Sequence, residues 1–139
     1  MISREWLAGF FDGEGCITGS AYNTKSKYVK HPWISIQVSI CQKDRKILEL
    51  IQKEYGGNLY PHKNGTYVLK WTDKAGMMVI LNALAPYSFC KKDQILLAIR
   101  FVETKREENL GCEALPDSVQ ILRKELHEKI RSLKVINND

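Results

Sequence analysis

The residues from Trp33 to Cys41 alternate without a break. Ile34, Ile36, Val38 and Ile40 fall on one side, and Ser35, Gln37, Ser39 and Cys41 on the other. A period of two, with β-branched residues filling one side, predicts a strand that is buried on one face and wet on the other. A chain built around such a strand needs further strands beside it and helices to cover the isoleucine face.

Both are legible. Cys16 to Tyr22 reads as a strand, and Asn58 to His62 and Thr66 to Trp71 flank an Asn64-Gly65 turn, the strongest short hairpin signal. In the second arm Tyr67, Leu69 and Trp71 share one face, while Thr66, Val68 and Lys70 share the other. A first helix is capped by Ser3, carries Glu5 in its first turn and runs to about Asp12. A second, capped by Asp44, carries Ile47, Leu48, Leu50, Ile51 and Tyr55 and ends at Gly56-Gly57. A third spans about Asp73 to Leu84, before Pro86, and a fourth about Lys92 to Lys105. Pro116-Asp117 opens the last, where Val119, Leu122, Leu126, Ile130 and Leu133 recur at steps of three and four. The order α-β-β-α-β-β-α-α-α predicts an α+β fold, a four-stranded antiparallel sheet with helices on one face. A single domain is expected over residues 1–139, with its core at about 4–105 and a C-terminal helical extension at about 116–135.

Composition narrows the class. The chain has 139 residues, enough to bury a core without disulfides. No apolar run approaches the roughly 18 residues of a membrane span, and no basic segment with a following apolar stretch opens the chain. The expectation is a soluble intracellular protein of cytoplasm, nucleoid or organelle matrix, with no membrane partner. Cys16, Cys41, Cys90 and Cys112 are scattered, without a C-x-x-C pair, and read as reduced and mostly buried thiols rather than zinc ligands. The 21 Lys and Arg exceed the 16 Asp and Glu by five, which permits a nucleic-acid partner without requiring one.

The polar side of the sheet offers two readings. Ser20, Tyr22, Thr24, Ser35, Gln37, Ser39, Thr66 and Lys70 would lie there. Antiparallel sheets tolerate water on one face, so a merely solvated surface is the bland reading. The sharper one is a surface for base edges, since a β-ribbon fits the DNA major groove.

Leu7 to Gly15 reads LAGFFDGEG. Gly9 and Gly13, four apart on a helix, permit close approach of another helix. Asp12 and Glu14 lie at a helix C-terminus, where the dipole disfavours negative charge. That arrangement costs stability unless something offsets it, and a divalent cation held by carboxylate and carbonyl oxygens would do so.

This segment resembles the LAGLIDADG motif of the homing endonucleases. It is identical at Leu7, Ala8, Gly9, Asp12 and Gly15, conservative at Phe10, Phe11 and Glu14, and has Gly at position 13. The order of elements, Gln42-Lys43 after the second strand, and the P-x-x-x-x-K pattern from Pro86 to Lys91 extend the similarity over residues 4–105. The resemblance implies the αββαββα fold with a saddle-shaped sheet. It implies a site-specific double-strand DNA endonuclease using Mg²⁺ or Mn²⁺. Glu14, where the family more often has Asp, corresponds to the metal-binding acid, and the Gly13 carbonyl to a second ligand. Gln42 corresponds to a residue that places solvent, and Lys91 (or its neighbour Lys92) to one that stabilises charge. Arg45 or Lys46 corresponds to a basic residue of the active site.

One motif per chain implies a homodimer, with Leu7, Ala8, Gly9, Phe11, Asp12 and Gly13 packing on their copies about a two-fold axis. The DNA target would then be pseudo-palindromic. A strand of about seven residues spans roughly 23 Å, so two sheets cover on the order of 15 or more base pairs. Ser20, Tyr22, Thr24, Ser35, Gln37, Ser39, His62, Thr66, Val68 and Lys70 are the candidates for reading bases, and Lys25, Lys27 and Lys30 for meeting phosphates. The alternatives are a non-cleaving DNA-binding regulator of the same fold and a maturase binding its own intron RNA.

Overall fold

The computed structural model describes residues 1–22, 33–104 and 117–137. Thr24, Lys25, Lys27 and Lys30 lie outside the described residues. The elements are α1 (Arg4–Glu14), β1 (Gly15–Tyr22), β2 (Trp33–Gln42), α2 (Arg45–Tyr55), β3 (Asn58–Pro61), β4 (Tyr67–Trp71), α3 (Lys74–Leu84), α4 (Lys92–Glu103) and α5 (Asp117–Asn137). The predicted order of helices and strands is observed.

Local chemistry sets the boundaries. The Ser3 hydroxyl accepts from the Trp6 N–H at 3.1 Å, the Asp44 carboxylate from Lys46 N–H at 2.9 Å, and that of Asp73 from Gly76 N–H at 3.1 Å, capping α1, α2 and α3. Between β3 and β4 a short 3-10 turn spans Lys63–Gly65, with Asn64 and Gly65 both at positive φ (58° and 74°), the conformation an Asn-Gly turn supplies.

All strands are antiparallel, in the spatial order β1-β2-β4-β3. The Ile34, Ile36, Val38 and Ile40 side of β2 is buried and continues across Ile17, Leu69 and Trp71. Helices supply Leu7, Phe11, Leu48, Ile51, Met77, Leu81, Ile95, Phe101, Leu126 and Ile130 to the same core. Trp71 donates its indole N–H to the Tyr55 carbonyl at 3.0 Å, tying β4 to the end of α2 while the ring stays dry. The C-terminal helix is part of this core: His127 lies so close to Gly19 that a Cβ there would overlap its imidazole.

Cys16, Cys41 and Cys90 are free thiols as expected, but they are less buried than expected, Cys16 and Cys41 being half-buried and Cys90 exposed. Cys112 lies outside the described residues. Among the described residues no helix is long and apolar enough to cross a membrane.

Candidate nucleic-acid and hydrolytic site

Helix α1 passes into β1 without a loop. The turn requires glycine at position 15, since a Cβ there would run into the Phe11 ring. Gly15 pairs with Ile40, so Gly13 and Glu14 leave the β1–β2 ladder at the same end as Cys41 and Gln42. Gln42 pairs in turn with Tyr67 of β4, and the Arg45 guanidinium stacks 5.4 Å from the centre of the Tyr67 ring. Arg45 also forms an i,i+4 ion pair with Glu49 at 2.8 Å. The Gln42 side-chain oxygen accepts the Lys43 N–H at 2.9 Å, which leaves its amide group as a donor.

The loop from Ser88 to Lys91 closes over the end of α1. The Asp12 carboxylate accepts from the Ser88 hydroxyl, from Phe89 N–H at 2.8 Å, and from Cys90 and Lys91 N–H at 3.2 Å each. The Lys91 ammonium donates to the Asp12 carbonyl at 2.6 Å. Burial pushes the Asp12 carboxyl up, but these hydrogen bonds outweigh it and hold the group below its ordinary value. What offsets the Asp12 acid near the helix terminus is therefore a loop 76 residues away. Glu14 differs: it is exposed, with no polar contact to another side chain among the described residues. Glu14, Gln42, Lys91 and Arg45 thus gather at one end of the sheet.

The surface offered by α1 needs correction. Leu7, Ala8 and Phe11 are fully buried inside the protomer, and Asp12 is engaged by the loop, so these four do not form its free face. Trp6, Gly9 and Gly13 are exposed, with Phe10 stacked on Trp6 at 5.0 Å between ring centres. A Cβ at Gly9 or Gly13 would meet nothing within 4 Å. The Trp6–Phe10 and Leu7–Phe11 sides of α1 are both apolar, and the core took the latter.

On the open face, Ser20, Ser35, Gln37, Ser39 and Lys70 lie on three adjacent strands, with the Ser20 and Ser35 hydroxyls 3.0 Å apart. His62 is exposed at the hairpin end. Thr66 is less available, because its hydroxyl donates to the Lys63 carbonyl inside the turn. Val68 is corrected: at 6% exposure, flanked by Cys41 and Tyr60, it has little surface for a base. Tyr22 ends β1. Asn58 and Tyr60 share this face and were missed; they follow from the pairing of β3 with β4, while Thr18, marked by the alternation of β1, lies there with its hydroxyl oxygen buried.

Among the described residues no three His, Cys, Asp or Glu side chains gather closely enough to hold a metal. Glu14 with main-chain carbonyls is a hard-oxygen donor set of the kind Mg²⁺ accepts when phosphate and water complete its shell.

Comparison with known proteins agrees with this geometry. Residues 7–99 match the family model described as LAGLIDADG endonuclease. The intron-encoded RNA maturase bI4 of Saccharomyces cerevisiae is 33% identical over 85 residues. That match covers 58% of this chain and 11% of the yeast protein, so the chain spans only a small part of that relative. The homing endonuclease I-CvuI, solved with its target and Ca, superposes with a TM-score of 0.78 at 23% identity, over 94% of this chain and 80% of that one. The archaeal intron-encoded I-Vdi141I, complexed with DNA, gives 0.71 at 21% identity over 97% and 94%. These structures share the fold, and the match over residues 7–99 identifies the chain as a member of the LAGLIDADG endonuclease family.

Proposed function

We propose that the protein is a homodimeric, divalent-metal-dependent DNA endonuclease that hydrolyses phosphodiester bonds in both strands of a pseudo-palindromic target. The observation that carries this reading is the convergence of Glu14, Gln42, Lys91 and Arg45 at one end of the sheet, beside the free Trp6–Gly9–Gly13 face of α1. Two copies joined along that face would bring two Glu14 carboxylates together and set two open sheet faces end to end.

The chain's own residues have separable tasks. Glu14 and the Gly13 carbonyl would hold Mg²⁺ or Mn²⁺. When bound, such an ion polarises a phosphoryl oxygen and supplies a nucleophilic water at neutral pH. The Lys91 ammonium, oriented by the Asp12 carbonyl, offers its remaining N–H donors to charge developing on the phosphoryl oxygens. The Gln42 amide donates to solvent or phosphate, and Arg45 adds positive charge at the same end. Ser20, Ser35, Gln37, Ser39, Lys70 and His62 present donors and acceptors to base edges, and Tyr22 and Thr66 flank them. The Thr24, Lys25, Lys27 and Lys30 segment joins β1 to β2, where its lysines would meet phosphates.

A second reading draws on the 33% identity to an RNA maturase: the same chain would bind its own intron RNA. Glu14→Gln separates the two. For an endonuclease it abolishes cleavage and leaves duplex binding largely intact, whereas retained cutting removes Glu14 from the chemistry. Binding and splicing of intron RNA by a wild type that cuts no duplex would favour the maturase.

A further inference from the structure

Beside the end of α1 lies a cleft of about 650 Å³ whose walls include Asp12, Cys16, Phe89, Lys91, Gln94 and Lys134. Lys134 comes from α5, outside the residues that match the family. Its half-buried ammonium has one polar neighbour among the described residues, the Cys16 sulfur at 3.5 Å, and a thiol is a weak acceptor. The carboxylate on the same wall is not its counter-ion, because both Asp12 oxygens are filled by Ser88 and by main-chain N–H groups. Gln94 is only 3% exposed, lines the cleft, and has a side-chain oxygen with no partner. That oxygen is an acceptor and calls for a donor, so it complements the ammonium groups of the cleft and is no partner for an anion. Lys91 contributes a second ammonium, whose one bond among the described residues is to the Asp12 carbonyl.

Two ammonium groups facing one cleft complement a singly charged anion with several oxygens. Cys16 lies two residues beyond Glu14, so that anion would sit beside the proposed hydrolytic end. We infer that Lys134 is a backbone-phosphate contact, and that α5 thereby forms part of the nucleic-acid site as well as of the core. The inference rests on the nucleic-acid reading above and adds a residue to that site.

The test is equilibrium binding of the full chain to a random-sequence duplex in Ca²⁺ across a range of KCl concentrations. Wild type, Lys134→Met, Lys134→Arg and Lys53→Met, an exposed lysine on α2, are compared. Lys134→Met should bind more weakly and flatten the slope of log affinity against log salt by about 0.9 per subunit. Lys134→Arg should restore the slope, and Lys53→Met should leave it unchanged. An unchanged slope in Lys134→Met overturns the inference while leaving the nucleic-acid reading intact, as does a loss that arginine fails to restore. Inorganic phosphate is the second arm: if it raises the Tm of wild type but not of Lys134→Met, with duplex binding equal in both, the cleft takes a free anion and the backbone assignment is wrong. Failure of the wild type to bind either duplex or intron RNA overturns both readings.

Discussion

Asp12 and Lys91 are bonded to each other twice. The Lys91 main-chain N–H donates to the Asp12 carboxylate at 3.2 Å, and the Lys91 ammonium donates to the Asp12 carbonyl at 2.6 Å. The contact joins the C-terminal end of α1 to the N-terminal end of α4, with an ammonium at the negative pole and a carboxylate at the positive one. One pair of residues thus ties the end of α1 to the entry of α4, and the lysine proposed for catalysis is held in place by the same bonds.

Asp12→Asn should therefore destabilise the fold, since an amide cannot accept all four donors. The expected loss is about 1–3 kcal/mol by urea denaturation. Glu14→Gln, at an exposed carboxylate, should stay within roughly 0.5 kcal/mol of wild type. Equal effects at the two positions would contradict the division of labour between them.

Acidification should act through the same group. The Asp12 carboxyl titrates lower in the folded state than unfolded, so on acidification the unfolded chain takes up its proton first. The stabilisation is complete above the unfolded-state value of about 4. It is lost as pH falls through the lowered folded value. The gap in unfolding free energy between wild type and Asp12→Asn should narrow below about pH 4, and a gap independent of pH would contradict it.

Assembly can be separated from folding at Gly9. A methyl group there meets nothing in the protomer, and alanine is the better helix former by about 1 kcal/mol. Gly9→Leu should keep the protomer folded by circular dichroism yet shift sedimentation from dimer to monomer. A wild type that sediments as a monomer, or a Gly9→Leu dimer, would remove this face from the interface.

Gly19→Ala should cost about 1–3 kcal/mol, because the new methyl group overlaps the His127 imidazole and forces α5 off the sheet. Combined with His127→Ala the losses should be less than additive in a double-mutant cycle. Additive losses would mean that α5 does not rest on β1 at this point.

Periodicity in the sequence was enough for the elements and for the buried side of β2, because alternation and helical stripes are local. It was not enough to orient α1, whose Trp6–Phe10 and Leu7–Phe11 sides are both apolar. The core selects between them, and that selection is a tertiary fact. The partner of Asp12 was hidden for the same reason, lying 76 residues away. Val68 alternates correctly with Lys70, yet burial depends on Tyr60 and Cys41 from neighbouring strands. Glu14, Gln42 and Lys91 were marked only by resemblance to the family, and the β1–β2 register together with the Asp12–Lys91 contact is what brings them to one end of the sheet.

The most direct measurement incubates wild type and Glu14→Gln with a plasmid library of randomised target sites in Mg²⁺ and maps every new end. The wild type should make paired breaks in both strands at a pseudo-palindromic sequence, and Glu14→Gln none. Tight duplex binding without any break in Mg²⁺ or Mn²⁺, or equal cutting by both proteins, would contradict the endonuclease reading.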